Sequence, residues 1–223
     1  MMPAASVDEK PLGLTNISED FTEWSYLASL SQEDRKKLDD QIGVMRELSA
    51  PLETIPLNIN SIARLGTGAA LTNNVNKEFL DTYGATDLYD EARGRYFKEQ
   101  SKLRYWGDTD VRGCYLVVLE SGDALSAVHL PFNAAEDAES LERQLNRLSI
   151  PISSTGATST KIHIAGGFEE PASKDTLASL THYLAKTFQE VEIGTLDVLN
   201  REQGARMPVF DTETKKMYEA ALV

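Results

Sequence analysis

Sulfur, imidazole and basic charge are all scarce in this chain. Among 223 residues there are one cysteine and three histidines, and 22 Lys and Arg stand against 35 Asp and Glu, a formal net charge of −13. A single cysteine cannot close an internal disulfide, which fits a reducing compartment. The acidic balance argues against a nucleic-acid partner, because binding a phosphate backbone draws on clustered Lys and Arg. No apolar run approaches the roughly 18 residues of a membrane span, and the opening MMPAASVDEKPLG lacks the basic and apolar regions of a secretory leader. Neither His163 nor His182 has a Cys or carboxylate at ligand spacing, so no zinc site is expected. What remains is 41% hydrophobic, enough for one large domain or for a core domain with an extension.

Residues 1–20 are polar, with Pro3, Pro11 and Gly13, and read as a flexible tail. A helical region, 21–104, follows. Phe21, Trp24, Leu27 and Ala28 recur at helical spacing. Ser31 then offers an N-cap for a second helix carrying Leu38, Ile42 and Met45 and ending before Pro51. Residues 52–71 are mixed, and Gly66-Thr67-Gly68 reads as a turn, lacking the Lys and flanking pattern of a phosphate loop. Two more helices are expected, 75–83 with Phe79, Leu80 and Tyr83 and 85–104 with Leu88, Ala92, Tyr96 and Phe97, broken at Gly84. Near residue 100 the periodicity changes to that of strands.

The β-type part opens with GDTDVRGCYLVVLESGDALSAVHLPF, residues 107–132, which holds Cys114 and His129. Two apolar runs, Tyr115 to Leu119 and Ala124 to Leu130, flank the turn signal Ser121-Gly122-Asp123 and predict a β-hairpin. Register decides whether the thiol and imidazole can meet, because a slip of one residue moves every side chain to the other face. A four-residue loop sets Cys114 opposite His129; a two-residue loop makes them diagonal neighbours on one face. A three-residue loop separates them.

Beyond the hairpin come a helix at Ala135–Leu148, a Ser/Thr/Gly loop at Pro151–Thr160, a strand at Lys161–Ala165 ending in Gly166-Gly167, and a helix at Ala172–Phe188. A strand at Glu190–Leu199, a turn at Asn200–Gly204, and a final pair at Met207–Phe210 and Met217–Leu222 complete the chain. The plan is α+β, with sandwich-like layers of antiparallel strands covered by helices and a helical N-terminal extension. His163 is expected as a satisfied core or rim residue on its strand, and His182 as a solvent-facing residue of the last helix.

A thiol next to an imidazole is the minimum for nucleophilic attack on an amide. A free cysteine, with a pKa of about 8.5, is mostly protonated at neutral pH. An adjacent His takes the proton and returns it to the leaving amine. Gly113 lets the main chain approach a substrate, and its amides are candidates for holding an oxyanion. The plain alternative is a buried cysteine that serves as packing.

With these landmarks in order, residues 105–223 resemble the chemoreceptor glutamine deamidases of the CheD type, which share a fold with the catalytic domains of cytotoxic necrotising factor toxins. The likeness rests on Gly113-Cys114 opening a strand, His129-Leu130-Pro131, the strand KIHIAGG at 161–167, the helix after it, and the strand-turn-strand finish at 192–218. The family's Ser before the cysteine is replaced by Gly113, preceded by Arg112. The interval of fifteen residues from Cys114 to His129 suits the toxin-like members better than the chemotaxis ones. The family's third catalytic group, a Thr about six residues before the cysteine, has no aligned match, and Thr109, five before, is the nearest candidate.

The resemblance implies a protein-glutamine deamidase with Cys114 and His129 as catalytic pair, no cofactor, and a protein substrate carrying the target glutamine. The helical region, 21–104, lies outside the resemblance; its size beyond the catalytic core makes it the candidate for recognising the substrate and would also suit an effector or toxin delivered into a host cytoplasm, the other expected place of action being the cytoplasm. Two other readings stand beside it: an amidase acting on N-terminal Asn or Gln, and a non-catalytic interaction module on a deamidase-like fold.

Overall fold

Ser31 caps the first described helix as its sequence predicts, its hydroxyl accepting from the Asp34 amide; the helix, α1 (Gln32–Leu48), buries Leu38, Ile42 and Met45 on one stripe. A computed structural model describes residues 31–83, 87–108, 111, 113–199 and 206–223, the side chains of 87–92 excepted. The expected helix at 21–28, the break at Gly84, the turn at 200–204 and Thr109 lie outside the described residues.

After α1 come β1 (Thr54–Leu57), β2 (Ile62–Arg64), β3 (Ala70–Thr72), α2 (Lys77–Asp81), α3 (Asp87–Gln100) and β4 (Tyr105–Gly107). The hairpin follows as β5 (Tyr115–Ser121) and β6 (Ala124–Leu130). The chain ends with α4 (Ala138–Ser153), β7 (Ser159–Gly166), α5 (Pro171–Thr187), β8 (Glu190–Val198), β9 (Pro208–Asp211) and β10 (Lys216–Leu222). The fold is α+β. One five-stranded sheet runs β3-β6-β5-β7-β8, and a second runs β1-β10-β9-β4-β2. The 21–104 region is helical over α1, α2 and α3, yet it also places β3 in the first sheet and β1 and β2 in the second. The sheets are not purely antiparallel, since β1 pairs with β10, β2 with β4 and β7 with β8 in parallel.

β5 explains the layering. Tyr115 to Leu119 are all buried, and a strand buried on both faces reads as a continuous apolar run rather than an alternating one. Tyr115, Val117 and Leu119 face the helices, where the Tyr115 hydroxyl meets the Ser173 carbonyl and hydroxyl of α5. The opposite face meets the second sheet, with the His163 and Phe210 rings 4.9 Å apart. Helices, sheet and sheet therefore form successive layers.

Two further expectations are corrected, the end of one helix and the place of His182. The first helix after the hairpin does not end at Leu148 but continues through Pro151 to Ser153. A proline removes the bond to the carbonyl four residues earlier, and that carbonyl, on Arg147, accepts instead from the Ser126 hydroxyl at 3.5 Å. On α3, Tyr96 points away from the core beside Phe97. It is 53% exposed while Phe97 is buried, because neighbours on a helix point about 100° apart and Phe97 closes an aromatic cluster, edge-on to Phe79 and tilted against Tyr83.

His182 does not face solvent either. It is 7% exposed, since α5 packs against α1 and α4 as well as β8, and Arg35 of α1 pairs with Asp175 of α5. Burial, with the positive charge of Lys186 adding to it, pushes the imidazole down to about 4. An unfolded histidine titrates near 6.5. Between those values the unfolded chain binds a proton that the fold refuses, so stability is complete above about 6.5 and falls as pH drops toward 4. Urea unfolding at stepped pH is expected to show a loss of about 1–3 kcal/mol across this window that is absent in His182→Gln. Equal pH slopes for the two proteins would contradict the burial argument.

Among the described residues, no helix is long and apolar enough to cross a membrane.

Candidate active site

The hairpin closes on the two-residue loop Gly122-Asp123, with Ser121 opposite Ala124 and Leu116 opposite His129. Gly122 has φ 58°, which places a left-handed residue at the first central position, as a type II′ turn requires. Of the registers open to the sequence, this one sets Cys114 diagonally across from His129. Alternation from Tyr115, which faces the helices, directs position 114 to the face that carries His129. Diagonal neighbours have Cα atoms roughly 7–8 Å apart, within reach of long side chains.

Glycines bring the surrounding backbone up to the cysteine. Cys114 is half-buried, and its carbonyl accepts from the Gly167 amide at 3.0 Å. Gly166 and Gly167 have φ of 116° and 81°; a Cβ on Gly166 would lie 2.0 Å from the Cys114 carbonyl oxygen. Gly113 has φ 70°, and the Phe168 ring lies where its Cβ would be. Only glycine meets both demands at these positions.

His129 is 1% exposed and its imidazole is fixed from two sides. Nδ1 lies 3.0 Å from the Leu65 carbonyl and 2.9 Å from Asp108 Oδ2. A carbonyl can only accept, so Nδ1 carries the hydrogen and Nε2 presents its lone pair in the neutral ring. Nε2 has no hydrogen-bond partner among the described residues. The main chain is held too: the His129 amide donates to the Ala69 carbonyl at 3.1 Å, and the Gly68 amide donates to the His129 carbonyl at 2.7 Å. The expected turn at Gly66-Thr67-Gly68 thus forms part of the wall around the imidazole.

Asp108 is the residue that sequence reasoning passed over. It follows β4 directly, and β4 is brought close to β9 because a Cβ on Gly107 would sit 2.4 Å from the Pro208 carbonyl. Asp108 stands six residues before Cys114, the position at which the resemblance implies a Thr; the nearer guess, Thr109, lies outside the described residues. That interval was the available signal. The Leu65 carbonyl had none, being a backbone atom. Between Asp108 and Cys114, buried Val111 donates its amide to the Arg206 carbonyl at 3.0 Å, and Arg206 is itself paired with Asp197 and Glu219.

The other histidines stay apart from this cluster. His163 is satisfied as expected, with Nδ1 3.0 Å from Thr195 Oγ1 and Nε2 3.2 Å from Glu120 Oε2. His182 lies on α5 in the helical layer. Among the described residues, no group of three or more His, Cys, Asp and Glu is placed to hold a metal ion. The arrangement therefore offers a thiol, an imidazole oriented by a carboxylate, and a glycine-lined backbone. The chain matches no known family model, and no curated protein is significantly similar to it.

Proposed function

We propose that the protein is a cysteine-dependent amidohydrolase that converts a glutamine side chain on a partner protein to glutamate. The observation that carries this reading is the Asp108–His129 pair, which occupies Nδ1, leaves buried Nε2 without a hydrogen-bond partner among the described residues, and stands one diagonal step from half-buried Cys114. Such a set supplies nucleophile, base and orienting group, the minimum for covalent amide hydrolysis.

In this reading the Cys114 thiol gives its proton to His129 Nε2 and the thiolate attacks the carboxamide carbon. Main-chain amides at Gly113 and beyond hold the oxyanion. The C–N bond breaks as His129 returns the proton to departing ammonia, leaving a thioester. Water, deprotonated by the same imidazole, attacks the thioester, and the carboxylate leaves as the thiol is restored. One amide and one water become one carboxylic acid and one ammonia. The partner gains a negative charge where a neutral amide stood, which makes or breaks contacts by ordinary electrostatics. Action on a host-cell protein, as an effector or toxin, belongs to the same reading.

The test uses iodoacetamide and intact-mass analysis. Cys114 is expected to alkylate at about pH 6.5 nearly as fast as at about pH 8.5, as a thiolate held by a neighbouring base does. A glutamine-bearing partner is expected to gain about one mass unit with the untreated protein and none after alkylation. An inert thiol would return the molecule to the second reading, a non-catalytic interaction module, which the deep burial of His129 favours.

A further inference from the structure

The corner that follows β7 bends through Gly166 and Gly167, both at positive φ, and consecutive glycines leave a chain free to bend in many ways. Neighbouring strands hold the first half of the corner. The Gly167 amide donates to the Cys114 carbonyl at 3.0 Å, and the Leu199 amide to the Gly166 carbonyl at 3.0 Å. Ser173, fully buried in the first turn of α5, holds the second half. Its hydroxyl lies 3.1 Å from the Phe168 amide and 2.7 Å from the Tyr115 hydroxyl, which is itself 2.9 Å from the Ser173 carbonyl. A carbonyl only accepts, so the Tyr115 hydrogen goes to it, the Ser173 hydrogen to the Tyr115 oxygen, and the Phe168 hydrogen to the Ser173 oxygen. The Phe168 ring in turn fills the space that a Gly113 Cβ would take. Gly113 and Tyr115, the residues on either side of Cys114, are thereby tied to one hydroxyl.

We propose that Ser173 is a positioning residue for Cys114, fixing through Phe168 and Tyr115 where the sulfur stands relative to His129. The assignment rests on the amidohydrolase reading in so far as the sulfur is a nucleophile; the hold on its chain does not. Without the hydroxyl the Phe168 amide loses its acceptor, and the glycines before it let the corner turn. The ring then leaves Gly113, itself at φ 70°, and the main chain of the cysteine moves with it. A displacement of about 1 Å at a reacting group costs up to about a hundredfold in rate. Across the thickness of one strand, a hydroxyl in the helical layer governs a thiol on the opposite face.

The experiment times iodoacetamide alkylation of the full chain at two pH values. At about pH 6.5 the rate depends on an imidazole beside the thiol; at about pH 9.5 an ordinary thiol is already ionised and the rate reports access. Ser173→Ala is expected to react about tenfold more slowly than wild type at the lower pH and about threefold faster at the higher, as the sulfur leaves the imidazole and the Phe168 ring leaves Gly113. Tyr115→Phe, which keeps the ring and loses the hydroxyl, is expected to move both rates the same way and carries the test alone if Ser173→Ala does not fold. Ser149→Ala is the control, removing an equally buried hydroxyl that lies 2.6 Å from Tyr183 Oη between α4 and α5. It is expected to lower the unfolding midpoint as much while both rates stay at the wild-type value. Wild-type rates in Ser173→Ala and Tyr115→Phe, or equal changes in Ser149→Ala, would overturn the positioning role. A wild-type rate about a hundredfold lower at the lower pH would sink the thiol–imidazole pair alone, since the higher-pH comparison would still decide the positioning.

Discussion

Cys114→Ser is expected to lower glutamine turnover by at least about a thousandfold, and Asp108→Asn by about a hundred- to ten-thousandfold. The two losses have different origins. Serine keeps the shape and the neighbours of Cys114 but replaces a thiol, ordinarily far more acidic than an alcohol, with a hydroxyl that a lone imidazole barely activates. Asparagine keeps the shape of Asp108 but can turn its NH2 group toward Nδ1, which forces the hydrogen to Nε2 and removes the base. Alkylation of Cys114 separates them from mere unfolding: Asp108→Asn is expected to push the pH profile of alkylation toward that of an ordinary thiol, with the unfolding midpoint little moved. The Leu65 carbonyl, 3.0 Å from Nδ1, favours the opposite tautomer where the asparagine turns its oxygen to the ring, which sets the lower end of the Asp108→Asn range. Turnover by Asp108→Asn equal to wild type would show that the carboxylate is structural only.

The second large effect is on stability. Gly166→Ala is expected to cost about 3 kcal/mol or more, against about 1 kcal/mol for Gly122→Ala. Both positions have positive φ, 116° and 58°. At Gly122 an added Cβ meets open space, whereas at Gly166 it lies 2.0 Å from the Cys114 carbonyl oxygen and 3.2 Å from the Tyr115 Cα. Those are backbone atoms in a paired ladder and cannot swing aside as a side chain would. Relief requires β7 to part from β5 where Gly166 faces Tyr115, which also displaces the cysteine. Chemical denaturation of the two variants checks the contrast; equal costs would mean that the strands part there without penalty.

Local chemistry made the hairpin legible. Five consecutive apolar residues from Tyr115, a Gly-Asp turn and a second apolar run fix β5 and β6 without help from elsewhere, and the two-residue loop was among the registers the sequence allowed. The strands of 52–71 were not legible, because three or four residues carry too little periodicity and their pairing is with distant partners, β1 with β10 and β3 with β6. His182 was misplaced because which side of a helix is covered depends on what packs there, and α1 covers a side of α5 that the pattern of α5 alone leaves open. Asp108 escaped for a related reason. A carboxylate after Gly107 reads as a turn residue until β4 is laid beside β9 and its end brought to β6.

Arg206 lends the neighbourhood of Cys114 a dependence on synthesis order. Cys114, His129 and Asp108 have all left the ribosome once β6 has emerged, yet the peptide group of Val111 finds its acceptor only when the segment leading into β9 arrives. A nascent chain halted after β8 would carry all three side chains and still lack the clasp on Val111, between Asp108 and Cys114.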